Sequence, residues 1–154
     1  VAANGINAKM SELHAAVGLA QLNSIDTMIE ERRCIAKAYL DNLSGIMGIV
    51  LPEYSLIARA NYSYMPIRIT SEARVDREVL IQQLRNRGIV PRRYFYPLIP
   101  QFQYYRSNNS ADPERYPIAA RLSNEVMCLP IFPGLLPSVV NDISRLIRDL
   151  LEKS

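Results

Sequence analysis

The clearest pattern in the chain lies near its end. Val139, Val140, Ile143, Leu146, Ile147, Leu150 and Leu151 recur three and four apart between Ser138 and Leu151, which predicts an amphipathic helix. The same spacing predicts two consecutive helices over residues 11–43. In the first, Leu13, Ala16, Val17, Leu19 and Ala20 share the period, with Ser11 as N-cap and Glu12 at the positive end of the helix dipole. Its small residues Ala15, Ala16, Gly18 and Ala20 let another element approach closely. After a break at Asn23-Ser24, Ile25, Met28, Ile29, Arg32, Ala36, Tyr39 and Leu43 continue the pattern to a stop at Ser44-Gly45. Residues 76–87, with Val79, Leu80 and Leu84, form a third amphipathic segment stopped by Gly88, and a short helix is expected around 117–126.

Between these helices the period changes. Ile49-Val50-Leu51 reads as a short strand ended by Pro52, and Met127 to Leu129 as another. Residues 62–69 alternate well enough for a strand, and Pro66 inside it favours an edge position or a bulge. Ile89 and Val90 are expected to begin one more strand. The order helix, helix, strand, strand, helix, strand, helix, strand, helix implies an α+β or α/β arrangement around a small sheet, with a helical arm in front. No internal repeat or low-complexity tract interrupts it.

Composition narrows the function more than the fold. The 154 residues are 49% hydrophobic and 21% charged, as in an ordinary globular domain. The net charge of +3 comes from 18 basic residues mixed with 15 acidic ones, so no basic arm for nucleic acid is present. Cys34 and Cys128 are the only cysteines. They cannot build a disulfide scaffold, no cysteine–histidine cluster suggests a metal, and both read as reduced, buried thiols of a cytoplasmic protein. No apolar run reaches the roughly 18 residues of a membrane span. The first residues also lack the charged-then-apolar pattern of a signal peptide.

Two stretches carry candidate chemistry. In "GINAKM", Gly5 permits a tight backbone turn, Asn7 offers an amide donor and acceptor, and Lys9 adds a cation. With the free N–H groups at the following helix start they suit an anion, a phosphate above all. The same residues also suit a plain helix-entry loop. In "PRRYFYPL", Arg92 and Arg93 can bind phosphate or carboxylate, while Tyr94 and Tyr96 can stack on rings. That combination suits a phosphorylated, ring-bearing ligand such as a nucleotide-sugar. It equally suits an ordinary strand with exposed arginines and buried tyrosines. His14, the only histidine, reads as structural or exposed, and no P-loop or dinucleotide fingerprint occurs.

"GINAKMSELHAAVGLAQL" resembles the G-[YF]-N-x-[RK]-M-x-E-x-x-A-A-x-G-x-x-Q-L stretch of the DegT/StrS family of sugar aminotransferases, with Ile6 in place of the aromatic. Three later landmarks resemble the family in the right order. They are "NYSYMPIRI", "GIVPRRYFYPLIPQFQYY" against GI-x-x-R-x-Y-[FY]-x-PL, and "AARLSNEVMCLPIFPGL" with its closing helix. Ile99 stands where many members carry a histidine after the "PL", which leaves the substrate class open.

The resemblance implies the C-terminal, small-domain portion of a pyridoxal-phosphate (PLP) enzyme of the aspartate-aminotransferase type, usually a homodimer. Such enzymes move an amino group, typically from glutamate, to a nucleotide-linked keto-deoxysugar in deoxysugar and polysaccharide biosynthesis. On this reading residues 1–45 are the GxN loop and helical arm, and 46–154 the α/β core. The large PLP-binding domain, with the Schiff-base lysine, would precede the motif, so no catalytic residue is expected here and the segment alone would be inactive. The helix after "GINAKM" would pack on that large domain. By the same resemblance Asn7 corresponds to the residue reaching the cofactor phosphate of the neighbouring subunit, with Lys9 its cationic neighbour. Arg93, Tyr94 and Tyr96 fall on the loop lining the sugar-nucleotide side. The competing expectation is a non-catalytic binding or dimerisation module derived from the family.

Overall fold

A computed structural model describes residues 9–54, 59–94, 96–105, 107 and 111–152. Among the described residues, five α-helices, α1 (Glu12–Leu22), α2 (Ile25–Leu43), α3 (Arg77–Arg85), α4 (Pro117–Glu125) and α5 (Pro137–Glu152), surround four strands. The strands are β1 (Ile49–Val50), β2 (Met65–Ile69), β3 (Arg92–Arg93) and β4 (Val126–Leu129). They form one antiparallel sheet in the order β1-β2-β4-β3. The short 3₁₀ turns Ile99–Gln101 and Pro113–Arg115 lie between β3 and α4. The expected α/β fold is therefore observed.

The register explains where the core sits. Met65, Ile67 and Ile69 alternate inward along β2, and Ile67 lies opposite Met127 of β4. Onto that face pack Ile35, Ala36, Tyr39 and Leu43 of α2, Leu80, Ile81 and Leu84 of α3, and Val140, Ile143 and Ile147 of α5. At roughly 25 cal/mol per Å² of buried apolar surface, this cluster is the main source of stability. Tyr39 is completely buried because its hydroxyl has a partner, donating to the Pro130 carbonyl at 3.1 Å.

Several elements differ from the sequence expectations. The strand after α3 does not begin at Ile89-Val90, because Gly88 (φ +76°) first turns the chain and Ile89 N–H bonds back to Leu84 at 3.1 Å. β2 is an interior strand rather than an edge, yet Pro66 is tolerated. β1 pairs only with Arg68 and Ile69, so at Pro66 only β4 lies alongside. Val79 is exposed, and Arg77 is buried instead. Cys34 is exposed on α2, while Cys128 is buried as expected. At the β1 approach, Gly48 (φ +81°) abuts Ala73, and a Cβ there would lie 2.3 Å from the Ala73 backbone.

The front helix has a different character. Ser11 caps α1 as anticipated, accepting from the His14 N–H at 3.4 Å, but no residue of α1 is buried. Leu13, Val17, Leu19 and Leu22 all face outward.

Candidate functional site

β3 splits the two arginines of "PRRYFYPL". Directly opposed residues of an antiparallel pair share a face. Arg93 opposes Met127 and so lies on the helix-covered face, whereas Arg92 opposes Cys128 and lies on the other. Two environments result from one dipeptide.

On the helix-covered side, Arg93 meets the first turn of α3. Its Nε donates to Glu78 Oε1 at 3.1 Å, and its Nη2 donates to Glu78 Oε2. Glu78 Oε1 also accepts from Arg77, at 3.1 Å from Nε and 2.7 Å from Nη2. Arg77 is only 4% exposed, and its Nη1 donates to the carbonyls of Ser123 and Val126, the latter at 3.1 Å. Those carbonyls close α4 and open β4, where the helix dipole favours a cation. The Tyr96 ring then lies against both guanidiniums, 5.3 Å from Arg77 Cζ and 5.4 Å from Arg93 Cζ. Chiefly through the Arg93 hydrogen bond, helped by Arg77, Glu78 is held below its ordinary pKa of 4.5. Arg93 is held protonated by the same bond. Asp76 caps α3 by accepting from Val79 N–H at 2.8 Å, and with Asn124 it borders the same shallow cleft.

Arg92 itself borders a half-open, mainly apolar cavity of about 510 Å³, lined also by Tyr64, Val90, Cys128 and Phe132 and reaching Val139 and Ile143 of α5. The size falls within the roughly 300–1,000 Å³ of small-molecule sites. Burial pushes the Cys128 thiol up to about 11, partly opposed by Arg92. Tyr94 packs edge-on to Tyr64, with ring centroids 5.1 Å apart. The Tyr54 hydroxyl, raised to about 12 by burial, ties the same segment down by donating to the Tyr64 carbonyl at 2.6 Å.

The structure thus brings Arg93, Tyr94 and Tyr96 onto one short segment but gives them different company. Lys9 is exposed just ahead of the α1 cap, where Ser11 Oγ lies 2.7 Å from His14 Nδ1. Asn7 lies outside the described residues. Arg77 and Glu78 escaped the sequence reading. The one signal was a cation at the first position of α3, against the helix dipole, which asks for a tertiary partner. Among the described residues no cluster of three metal-ligating side chains occurs, and no helix is long and apolar enough to cross a membrane.

Comparison with known proteins decides the family. A family model described as the DegT/DnrJ/EryC1/StrS aminotransferase family matches residues 1–148. The chain belongs to this family. The family's aminotransferases are PLP-dependent, and the fold is theirs. A dTDP-4-amino-4,6-dideoxy-D-glucose transaminase of Escherichia coli is 39% identical over 147 residues, which is 96% of this chain and 40% of that protein. The chain therefore spans about 40% of the length of this curated relative. Among solved structures, DesI, determined with its TDP-sugar product, superposes with a TM-score of 0.85 at 27% identity, covering 94% of this chain and 36% of DesI. DesV of S. venezuelae, in complex with a ketimine intermediate, gives 0.83 at 27% identity, covering 99% and 40% respectively.

The donors at the α1 entry fit the phosphate end of the family's cofactor. An exposed ammonium at Lys9 and the N–H groups of a capped helix start are the chemistry that a phosphate monoester takes.

Proposed function

We propose that this chain is the C-terminal, small-domain part of a cytoplasmic, homodimeric PLP-dependent aminotransferase that aminates a dTDP-linked 4-keto-6-deoxysugar, with glutamate as amino donor. The observation that carries the reading is the match to the E. coli dTDP-4-amino-4,6-dideoxy-D-glucose transaminase along 96% of the chain. Its product bears the amino group at C4, so the acceptor must bear a ketone there. We assign residues 1–45 to the cofactor-side loop and helical arm and 46–154 to the α/β core. The exposed apolar residues of α1 join it to the rest of the polypeptide.

In this reading Lys9 and Asn7 hold the cofactor phosphate by charge and amide hydrogen bonding. When bound, PLP supplies the electron sink that lets an amino group leave one carbon and join another. This chain contributes recognition. Tyr96, 47% exposed and backed by two guanidiniums, offers a ring face to the nucleotide-sugar, and Tyr94 shapes the wall beside it. Both ends of the Arg93 fork already bond Glu78, so Arg93 acts by holding Tyr96 rather than as an open phosphate fork.

The test is conversion of the dTDP-linked 4-keto sugar by the full-length protein, with PLP and glutamate, followed by mass spectrometry. Formation of the amino sugar at the expense of glutamate is expected. A folded, PLP-loaded protein that aminates none of a panel of nucleotide-linked keto-sugars would overturn the proposal and favour a non-catalytic module.

A further inference from the structure

We propose that Glu78 is a positioning residue for the nucleotide-sugar: by clamping Arg77 and Arg93 together it fixes the ring of Tyr96, the residue that meets the substrate. The proposal rests on the reading that the β3 segment lines the sugar-nucleotide side, and adds a residue no motif points to.

The geometry is that of a built support. An isolated ion pair on a surface contributes little, because solvent screens it and two long side chains must be ordered. Glu78 differs in three respects. Its carboxylate takes both ends of the Arg93 fork and shares Oε1 with Arg77, so the angle between the two guanidiniums is set by one planar group. Arg77 is in turn immobilised by burial and by the Ser123 and Val126 carbonyls, which ties the clamp to α4 and β4. Finally, Tyr96 lies almost equally far from both guanidinium carbons, 5.3 and 5.4 Å. A ring flanked by two cations is held by the attraction of each for its π face. Without the carboxylate between them, Arg77 and Arg93 repel, and the seat of the ring opens. The chain of support therefore runs from a rigid helix junction through Arg77 and Glu78 to Arg93 and Tyr96. Glu78 itself need never touch substrate.

Such a residue leaves a kinetic signature different from that of general stability. In the full-length enzyme Glu78→Gln, which keeps the shape and loses the charge, is expected to raise KM for the nucleotide-sugar about tenfold, with kcat and KM for glutamate within about twofold. Tyr96→Ala should raise the same KM at least as much. Adding Glu78→Gln to Tyr96→Ala should change nothing more, since the carboxylate acts through the ring. Arg93→Lys keeps the charge and loses the fork, so it should mimic Glu78→Gln and serves in its place if that variant does not fold. If Tyr96→Ala raises KM while folded Glu78→Gln or Arg93→Lys leaves it unchanged, or if the effects simply add, the inference is overturned and the proposed function stands. If neither position affects KM in an active enzyme, the assignment of this segment to the substrate falls, and the inference with it.

Discussion

Helices α1 and α5 are both rich in apolar residues and meet opposite fates. α5 gathers its own on one stripe, whereas those of α1 are spread round the helix. α5 buries Val140, Ile143, Ile147 and Leu151 against α2, α3 and the sheet. α1 buries nothing, with Leu13 73% and Leu19 66% exposed. Periodicity predicts that a stretch will be a helix. It does not say whether the apolar residues of that helix find a partner within the same chain. The same division recurs at finer scale, between Arg77 inside and Arg92 outside, and between Cys128 and Cys34. In each pair one group is buried by its tertiary neighbours and the other is exposed.

The largest expected effect sharpens the helix comparison. Ile147→Ala should cost about 2–5 kcal/mol by denaturant titration, because it leaves a cavity in a packed core. Leu13→Ala should stay within about 0.5 kcal/mol, because Leu13 is exposed and unburied by the described residues. Equal losses would mean that α1 is docked after all.

The arginine pair comes next. Arg77→Ala removes charge-assisted hydrogen bonds and leaves the Ser123 and Val126 carbonyls to find other donors, so about 1.5–3 kcal/mol should be lost. Arg92→Ala, at the cavity rim, should be nearly neutral.

A smaller effect should follow pH. Glu78 is depressed below 4.5, so the ionised clamp supports the fold fully above that value and the support is lost as acid protonates the carboxylate below it. Acid denaturation of Glu78→Gln should accordingly show a shallower loss of stability below pH 4.5 than the parent.

The thiols give the mildest contrast. Cys128 is raised from 9.0 to about 11, so its contribution to stability is complete below pH 9 and fades as pH climbs toward 11. At neutral pH a thiol reagent should modify exposed Cys34 within minutes and Cys128 only on unfolding. Comparable rates would show that the Cys128 face is open.

Much of the fold was legible because local rules and packing agree. Ser11 and Gly88 mark helix ends by side-chain capping and a left-handed turn, and each does so in the structure, while the helix expected from residue 76 begins with Asp76 as its cap. The α5 stripe and the alternation of β2 point to the one core they share. What stayed hidden depended on tertiary neighbours. Pro66 sits in an interior strand only because β1 is two residues long, and no local pattern reports a neighbour's length. Arg77 carries no mark in the apolar pattern and is buried because carbonyls from residues 123 and 126 meet it. For the candidate site, motif order pointed to the segment around Tyr94 and Tyr96. Only strand register reveals that Arg92 and Arg93 serve opposite faces, and only side-chain geometry reveals Glu78 between two guanidiniums.

The central claim is that the segment from Arg93 to Tyr96 meets a nucleotide-sugar. Hydrogen–deuterium exchange on the full-length, PLP-loaded protein tests it most directly. Saturation with the dTDP-linked keto sugar should slow exchange at the amides of Arg93, Tyr94 and Tyr96, while glutamate alone should not. Unchanged exchange at all three, with binding demonstrated by calorimetry in the same sample, would contradict the account.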